Sequence, residues 1–314
     1  MRVLVSGGAG FIGGHLVEAL VRGGHEVRVA DNLSTGHLKN LDEVRHRIEF
    51  VNGDLADPEV ALRAAEGMDA ISHHAAVPSV PRSINNPLEA HASCATTTLN
   101  LLFAASKHRV KRFVYAASSS AYGDGPELPK RETMRPEPRS PYAAAKLAGE
   151  GYVEAFSACY GLDAVALRYF NIFGPRQDPS SPYSGVIARF MLQMTKGERP
   201  TIFGDGSQTR DFTYVSNAVH ANLLALNAPE RLPVRCMNIG TGRQISLLEL
   251  IKAFNEVLGT NIEPIFAPGR AGDVKHSVAA LDLARNTLGY RPIVNFKEGL
   301  ALTLLSEKET VRAK

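Results

Sequence analysis

A chain of 314 residues, 44% hydrophobic and 21% charged, has the composition of a globular protein with room for one large α/β domain and a smaller lobe. Thirty-five basic residues stand against 32 acidic ones, a net charge of +3 with neither a polybasic block nor an acidic tail. That balance argues against nucleic acid or an anionic membrane as the main partner.

Cys94, Cys159 and Cys236 lie far apart without a Cys-x-x-Cys pair, so neither a disulfide framework nor a metal site is expected. The opening segment reaches glycine too early for a signal peptide, and no apolar run approaches the length of a membrane span. A cytoplasmic location is the expectation.

Val3 to Ser6 reads as a short apolar strand, Phe11 to Arg22 has helical spacing, and His25 to Ala30 is a valine-rich second strand. Between the first strand and the helix lies Gly7-Gly8-Ala9-Gly10-Phe11-Ile12-Gly13, with glycine at every third position from Gly7. Such a turn brings backbone amides, those of Phe11 and Ile12 among them, and the helix N-terminus to a pyrophosphate. An ordinary glycine-rich turn is the plainer alternative. Asp31 closes the second strand 24 residues after Gly7. A carboxylate there accepts hydrogen bonds from an adenosine ribose and repels a 2′-phosphate, favouring NAD over NADP; a surface aspartate at a strand end is the competing reading.

The alternation continues with strands near Glu49–Asn52, Ala70–His73, Phe113–Ala116 and Ala164–Arg168, separated by helical segments near Pro58–Glu66, Pro87–Ser106 and Tyr142–Cys159. This pattern predicts an α/β fold with a Rossmann-type doubly wound parallel sheet and ligands at the carboxyl ends of its strands. Asp54 and Leu55, after the third strand, are placed to hold an adenine edge. Beyond Asn171–Arg176 glycine and proline punctuate shorter elements. We therefore expect an NAD-binding domain over 1–171 and a smaller α/β substrate-binding lobe over 172–314. A strand, helix and strand at Asp211–Val215, Ser216–Leu226 and Arg235–Ile239 are expected to rejoin the large sheet, and Glu307–Lys314 reads as a frayed polar tail.

Tyr142 and Lys146 are four residues apart on a predicted helix, so they project from one face. A cation about 5 Å from a phenol, at an effective dielectric of about 20, favours the phenolate by about 3 kcal/mol, roughly two pK units. That would let the tyrosine act as a general base near neutral pH. The bare pair is common on amphipathic helices; the glycine turn upstream directs it to chemistry at a nicotinamide ring.

The glycine turn, Asp31, His74-Ala75-Ala76, Ser118-Ser119-Ser120-Ala121-Tyr122-Gly123 and Tyr142 to Lys146 together resemble the extended short-chain dehydrogenase/reductase family over essentially the whole chain. Within it the chain is most similar to the UDP-hexose 4-epimerases, through Asp31-Asn32-Leu33-Ser34-Thr35-Gly36, Arg168-Tyr169-Phe170-Asn171, Gly204-Asp205-Gly206 and Arg210-Asp211-Phe212. Arg176-Gln177-Asp178-Pro179 and the loop Ser79-Val80-Pro81-Arg82-Ser83 resemble members that epimerise UDP-N-acetylglucosamine.

The resemblance implies an NAD-dependent isomerase that oxidises carbon 4 of a UDP-hexose and returns the hydride to the opposite face. It makes Tyr142 the base, Lys146 its electrostatic partner and ribose ligand, and Ser118 the hydroxyl bonded to the reacting sugar oxygen. Asn32, Ser34, Thr35, Gly36, His74, Ala75, Ala76 and Tyr169 join Gly7, Gly10, Phe11, Ile12, Gly13, Asp31, Asp54 and Leu55 as implied cofactor contacts. Substrate contacts are implied for Ser79, Ser119, Ser120, Asn171 and the amides near Gly185 and Val186. Phe203 would lie along the uracil, Arg210 and Arg270 would bracket the diphosphate, and Asp273 would meet the uridine ribose. Ser277, seven residues after Arg270, falls at a gate beside the sugar's carbon 2, small in members that admit an N-acetyl group.

Cys94 stands where such proteins usually carry an asparagine near the nicotinamide, Asn217 replaces an aspartate that starts a helix and can cap in its place, and Pro78 replaces a frequent glycine. Relatives pair the helices at Pro87–Ser106 and Tyr142–Cys159 into a homodimer's four-helix bundle; a buried monomer core is the alternative. A UDP-uronic acid or UDP-pentose 4-epimerase shares the scaffold. So does a 4,6-dehydratase, which usually carries an acidic pair that Ser119-Ser120-Ala121 does not offer. A non-catalytic NAD-binding scaffold would be expected to have lost Tyr142 or Lys146.

Overall fold

The structure is a computed structural model that describes residues 1–177, 185–269 and 274–312, with side chains as far as Glu307. The sites expected at Arg270 and Asp273 lie outside the described residues. Strands β1 (Arg2–Ser6), β2 (Glu26–Asp31), β3 (Ile48–Asn52), β4 (Ala70–His73), β5 (Arg112–Ser118) and β6 (Ala164–Tyr169) alternate with helices. These are α1 (Phe11–Arg22), α2 (Pro58–Ala65), α3 (Val80–Asn85), α4 (Pro87–His91), α5 (Thr97–Lys107) and α6 (Pro141–Tyr160). Beyond them come β7 (Ile172–Phe173), α7 (Val186–Met194), β8 (Thr201–Phe203), β9 (Thr209–Arg210), β10 (Thr213–Tyr214), α8 (Val215–Asn227) and β11 (Cys236–Ile239). The chain ends with β12 (Ile245–Ser246), α9 (Leu247–Leu258), β13 (Ile265–Ala267), α10 (Asp282–Leu288) and α11 (Phe296–Arg312).

Seven strands form one sheet in the order β11-β6-β5-β4-β1-β2-β3, every pair parallel. The sequence of β1, Arg-Val-Leu-Val-Ser, is buried from its second residue onward, as a central strand covered on both faces requires. One face packs Leu16, Val17 and Leu20 of α1 and Ala218, Ala221 and Ala225 of α8. The other packs Ala61 and Ala64 of α2, Leu101 and Leu102 of α5, and Val153 and Phe156 of α6. The order reverses direction between β1 and β4, leaving a crevice at their carboxyl ends where ligands bind in such sheets. A separate core of Phe173, Phe190, Phe212, Phe254 and Phe296 holds the later elements together.

Helix starts follow local chemistry. The Asp57 side chain accepts from the Glu59 amide ahead of Pro58, and Ser140 accepts from the Ala143 amide ahead of Pro141. Five expectations need correction or refinement. Val80–Asn85 is a helix rather than a loop, begun by Ser79, which accepts from the Arg82 amide. The segment 87–106 is helical but contains a π turn at Ala92–Thr96. Only Thr213–Tyr214 of the expected strand at 211–215 is extended, and α11 carries the expected frayed end as helix to Arg312. Asn217 does not cap α8, which starts at Val215; its Oδ1 accepts from the Ile293 and Val294 amides at 2.7 and 3.0 Å instead. No helix among the described residues is long and apolar enough to cross a membrane, and all three cysteines are free thiols.

Candidate active site

Gly7 leaves β1 with φ +67, and a Cβ there would stand 2.6 Å from the Ala75 nitrogen. Only glycine lets the turns after β1 and β4 approach so closely. Gly10 occupies the N-cap of α1 without a side-chain cap, so the first-turn amides of Phe11, Ile12 and Gly13 face the crevice mouth without a side chain to satisfy them. Asp31 is buried, and its carboxylate accepts from the Ala9 amide at 3.0 Å and the Leu33 amide at 2.8 Å. Burial pushes the Asp31 carboxyl up, and these two bonds pull it down. The carboxylate therefore fixes the glycine turn from the end of β2.

Asn32, Ser34 and Thr35 are exposed in the loop beyond β2, with Gly36 buried against Ala9. Asp54 is exposed and Leu55 buried after β3. An uncapped helix start, a close-approach glycine and a strand-end carboxylate fit a dinucleotide. In this arrangement Gly7 to Gly13 would hold its pyrophosphate and Asp31 its adenosine ribose.

His74 follows β4, with Ala75 and Ala76 half-buried after it. Its ring stacks on Tyr169 at 6.2 Å between centroids, and Ser72 Oγ lies 2.9 Å from Nε2. Burial, followed by the charge of Lys146, holds this imidazole down at about 3, so it is neutral near pH 7. The Tyr169 hydroxyl accepts from Asn222 Nδ2 at 2.6 Å. On the neighbouring strand, Ser118 ends β5 and starts a tight turn that carries Ser119 and Ser120, with its Oγ 2.8 Å from Ser120 Oγ.

Tyr142 and Lys146 lie in the first turns of α6, and the Tyr142 hydroxyl lies close enough to the Ser118 side chain for that side chain to act on its ionisation. Lys146 is buried, donates to the Ala116 carbonyl at 2.9 Å and lies 4.9 Å from the centre of the Tyr115 ring. The expected acidification of Tyr142 is not present in the protein alone. Burial pushes its hydroxyl up, Cys94 adds to that, and only the nearby Ser118 side chain opposes it. Burial also lowers the Lys146 ammonium. The desolvation of both groups outweighs the pair attraction reckoned from spacing. Cys94 sits fully buried in the π turn, packed with Ala95, Ala145 and Tyr142.

The expected substrate residues fall in two places. Asn171, Val186, Phe203 and Arg210 line one cavity of about 180 Å³, with Gly185 at the N-cap of α7 beside it. Arg210 is set by its neighbour Asp211, whose buried carboxylate accepts from the amides of Thr241, Gly242 and Ala279 at 2.8 to 3.1 Å. Ser277 is half-buried and donates its amide to the Thr209 carbonyl at 3.2 Å, next to Arg210. Ser79, by contrast, is buried at the start of α3, where its hydroxyl serves as the helix cap. Sequence reading missed Arg189, a second arginine lining the cavity. The signal was a lone charge in the otherwise apolar run Val186-Ile187-Ala188-Arg189-Phe190-Met191.

Comparison with known proteins agrees with this geometry. Residues 3–240 match the NAD dependent epimerase/dehydratase family. A UDP-glucose 4-epimerase of Mycolicibacterium smegmatis is 39% identical over 308 residues, covering 97% of each chain. The UDP-N-acetylglucosamine 4-epimerase of Methanobrevibacter ruminantium, solved with UDP-N-acetylmuramic acid, superposes with a TM-score of 0.93 at 36% identity over 98% of both chains. A UDP-glucuronic acid 4-epimerase from Bacillus cereus, solved with UDP-glucuronic acid and NAD, gives a TM-score of 0.91 at 29% identity, covering 99% of this chain and all of that one. The chain belongs to the NAD dependent epimerase/dehydratase family, and NAD is its cofactor.

Proposed function

We propose that this member of the family is a UDP-hexose 4-epimerase, interconverting UDP-N-acetylglucosamine with UDP-N-acetylgalactosamine and UDP-glucose with UDP-galactose. The observation that carries the reading is that Tyr142 and Lys146 share the first turns of α6 with the Ser118 side chain close to the Tyr142 hydroxyl, two strands from the glycine cradle. NAD bound in that cradle supplies a hydride acceptor for carbon 4 that later returns the hydride, so net redox is zero.

The chain's own groups handle the proton and the anchoring. Tyr142 Oη takes the proton of the 4-hydroxyl and gives it back, while Ser118 Oγ bonds the same sugar oxygen and relays or orients that transfer. Lys146 supplies the nearby cation that a buried phenolate needs. Arg210, with Arg270, anchors the diphosphate through guanidinium forks, leaving the sugar free to present either face. Ser277, small and adjacent to the Arg210 segment, leaves space for an acetamido group.

On this reading residues 1–171, rejoined by 210–240, bind NAD, and 172–314 contribute the substrate lobe of a cytoplasmic enzyme. Ile84, Leu88, Phe103 and Tyr160 expose apolar surface on α3 to α6, which supports a homodimer through these helices.

The test is incubation of purified protein with UDP-N-acetylglucosamine and with UDP-glucose, without added cofactor, followed by separation of products. Both 4-epimers are expected. Turnover of UDP-glucuronic acid with neither hexose converted would replace the assigned sugar, and no epimerisation of any of the three would remove the reading.

A further inference from the structure

Glu150 lies one helical turn beyond Lys146 on the same face of α6. Arg168, on β6, grips its carboxylate with three contacts: Nε to Oε1 at 2.9 Å, Nε to Oε2 at 3.1 Å and Nη2 to Oε2 at 2.6 Å. Both side chains are buried. The same guanidinium lies 4.6 Å from the centre of the Tyr122 ring, in the turn that Ser118 begins. Tyr122 in turn donates to Asn238 Oδ1 on β11 at 2.7 Å. One buried cation thus touches both the helix bearing Tyr142 and Lys146 and the turn bearing Ser118.

Burying an ion pair contributes little net stability compared with an apolar pair of similar shape, so stability alone does not account for this one. We propose that Glu150 is a positioning residue of the catalytic group: fixed by Arg168, its carboxylate stands as a counter-charge one turn from Lys146 and seats α6 against the Ser118 turn. The inference rests on the 4-epimerase reading above.

Lys146 needs such help because burial favours its neutral amine. Tyr142 and Glu150 face it from α6, His73 and His74 from β4, the Tyr115 ring and Ala116 carbonyl from β5, and Cys94 from the π turn. Arg168, from β6, reaches it through Glu150. The two imidazoles are held neutral by burial. After burial, Cys94 and then Glu150 act on the lysine, both toward the protonated form, and Glu150 is the one carboxylate among these groups. A glutamine there has the same shape but no charge to offer, and it leaves the Arg168 guanidinium uncompensated nearby, which disfavours the ammonium further.

The test compares wild type, Glu150→Gln and Glu150→Asp as purified holoenzymes, reading bound NAD, Tm, KM and the pH profile of kcat with the UDP-hexose the wild type converts. For Glu150→Gln, kcat should fall about tenfold or more, as when an orienting partner is lost, with bound NAD and KM unchanged. Its alkaline limb should move to lower pH, because the lysine loses its proton earlier. Glu150→Asp should lie between the two in both measures. An active wild type whose alkaline limb stays in place in Glu150→Gln, whatever happens to Tm, overturns the inference alone. Should the glutamine variant not fold, the same limb in Glu150→Asp decides. A wild type that converts neither hexose overturns the functional reading, and this inference with it.

Discussion

Gly7→Ala isolates the close approach on which the cofactor crevice depends. Two costs add at this position. The φ of +67 lies in the left-handed region, where a Cβ costs about 1 to 2 kcal/mol. The new atom would also stand 2.6 Å from the Ala75 nitrogen and 2.8 Å from the Ala75 Cα and the His74 carbonyl carbon. All are backbone atoms at the end of β4, so relief requires parting β1 from β4 by roughly an ångström to reach about 3.5 Å. Overpacking of this kind costs about 1 to 3 kcal/mol, giving a total of about 2 to 5 kcal/mol.

Two other glycines separate the terms. Gly24 has φ +78 with nothing within 4 Å of its would-be Cβ, so Gly24→Ala should cost the backbone term alone. Gly151 lies inside α6 with the same open space and no positive φ, so Gly151→Ala should stabilise by about 1 kcal/mol. The chain has no tryptophan; urea unfolding followed by far-UV circular dichroism, with NAD content measured on the same samples, reads all three. The expected order of stability is Gly151→Ala, wild type, Gly24→Ala, Gly7→Ala, with NAD lost only from the last. A Gly7→Ala protein as stable as Gly24→Ala and carrying its full complement of NAD would refute the reasoning.

Tyr142→Phe removes the hydroxyl beside Ser118, and turnover should drop about a thousandfold with NAD content unchanged; full activity would end the proton-transfer scheme. Ser277→Tyr should slow UDP-N-acetylglucosamine conversion far more than UDP-galactose conversion, whereas equal losses would show that residue 277 does not gate the acetamido group. His15 and His74 are held down at about 4 and about 3, chiefly by burial, against 6.5 when unperturbed. As pH falls through 6.5 the unfolded chain gains protons that the fold refuses, so stability present above that pH is lost toward 4. The loss approaches about 1.4 kcal/mol per pH unit for each histidine. The urea midpoint should therefore be lower at about pH 5.5 than at about pH 7.5, and a higher midpoint at the acidic value would contradict the burial of these rings.

Much of the sheet was legible because its signals are local. The run from Val3 to Asp31 encodes strand, glycine turn, helix and second strand in residue order, and the structure places each within a residue or two. Tyr142 and Lys146 share a helix face by spacing alone. What spacing could not convey was their solvent environment: packing by Cys94, Ala145 and Tyr115 reverses the predicted direction of the tyrosine shift. Ser79 looked like a loop residue because Pro81 follows so soon, yet proline is at home in a first helical turn, and Ser79 is the cap. Asn217 misled for a different reason, since its partners lie 76 and 77 residues away in the segment before α11. The lone charge of Arg189 in an apolar run marks it as unusual, but that it lines a cavity with Thr201 and Phe203 of β8 is a long-range fact that the local pattern does not carry.

Arg176 ties the elements after β6 to the start of the chain. Its guanidinium pairs with the buried carboxylate of Glu18 on α1 at 2.5 Å and donates to the Asn40 carbonyl at 3.1 Å, while Asn40 Nδ2 donates to the Ala9 carbonyl at 2.8 Å. His15 adds a contact of 3.0 Å to the Pro175 carbonyl. This stitching runs from the glycine turn straight into the strap that leaves β7. Pulling it apart would strand a charge out of water, at a cost of about 3 to 5 kcal/mol. A change at Arg176 is therefore felt at the glycine turn, although the two lie far apart in the chain.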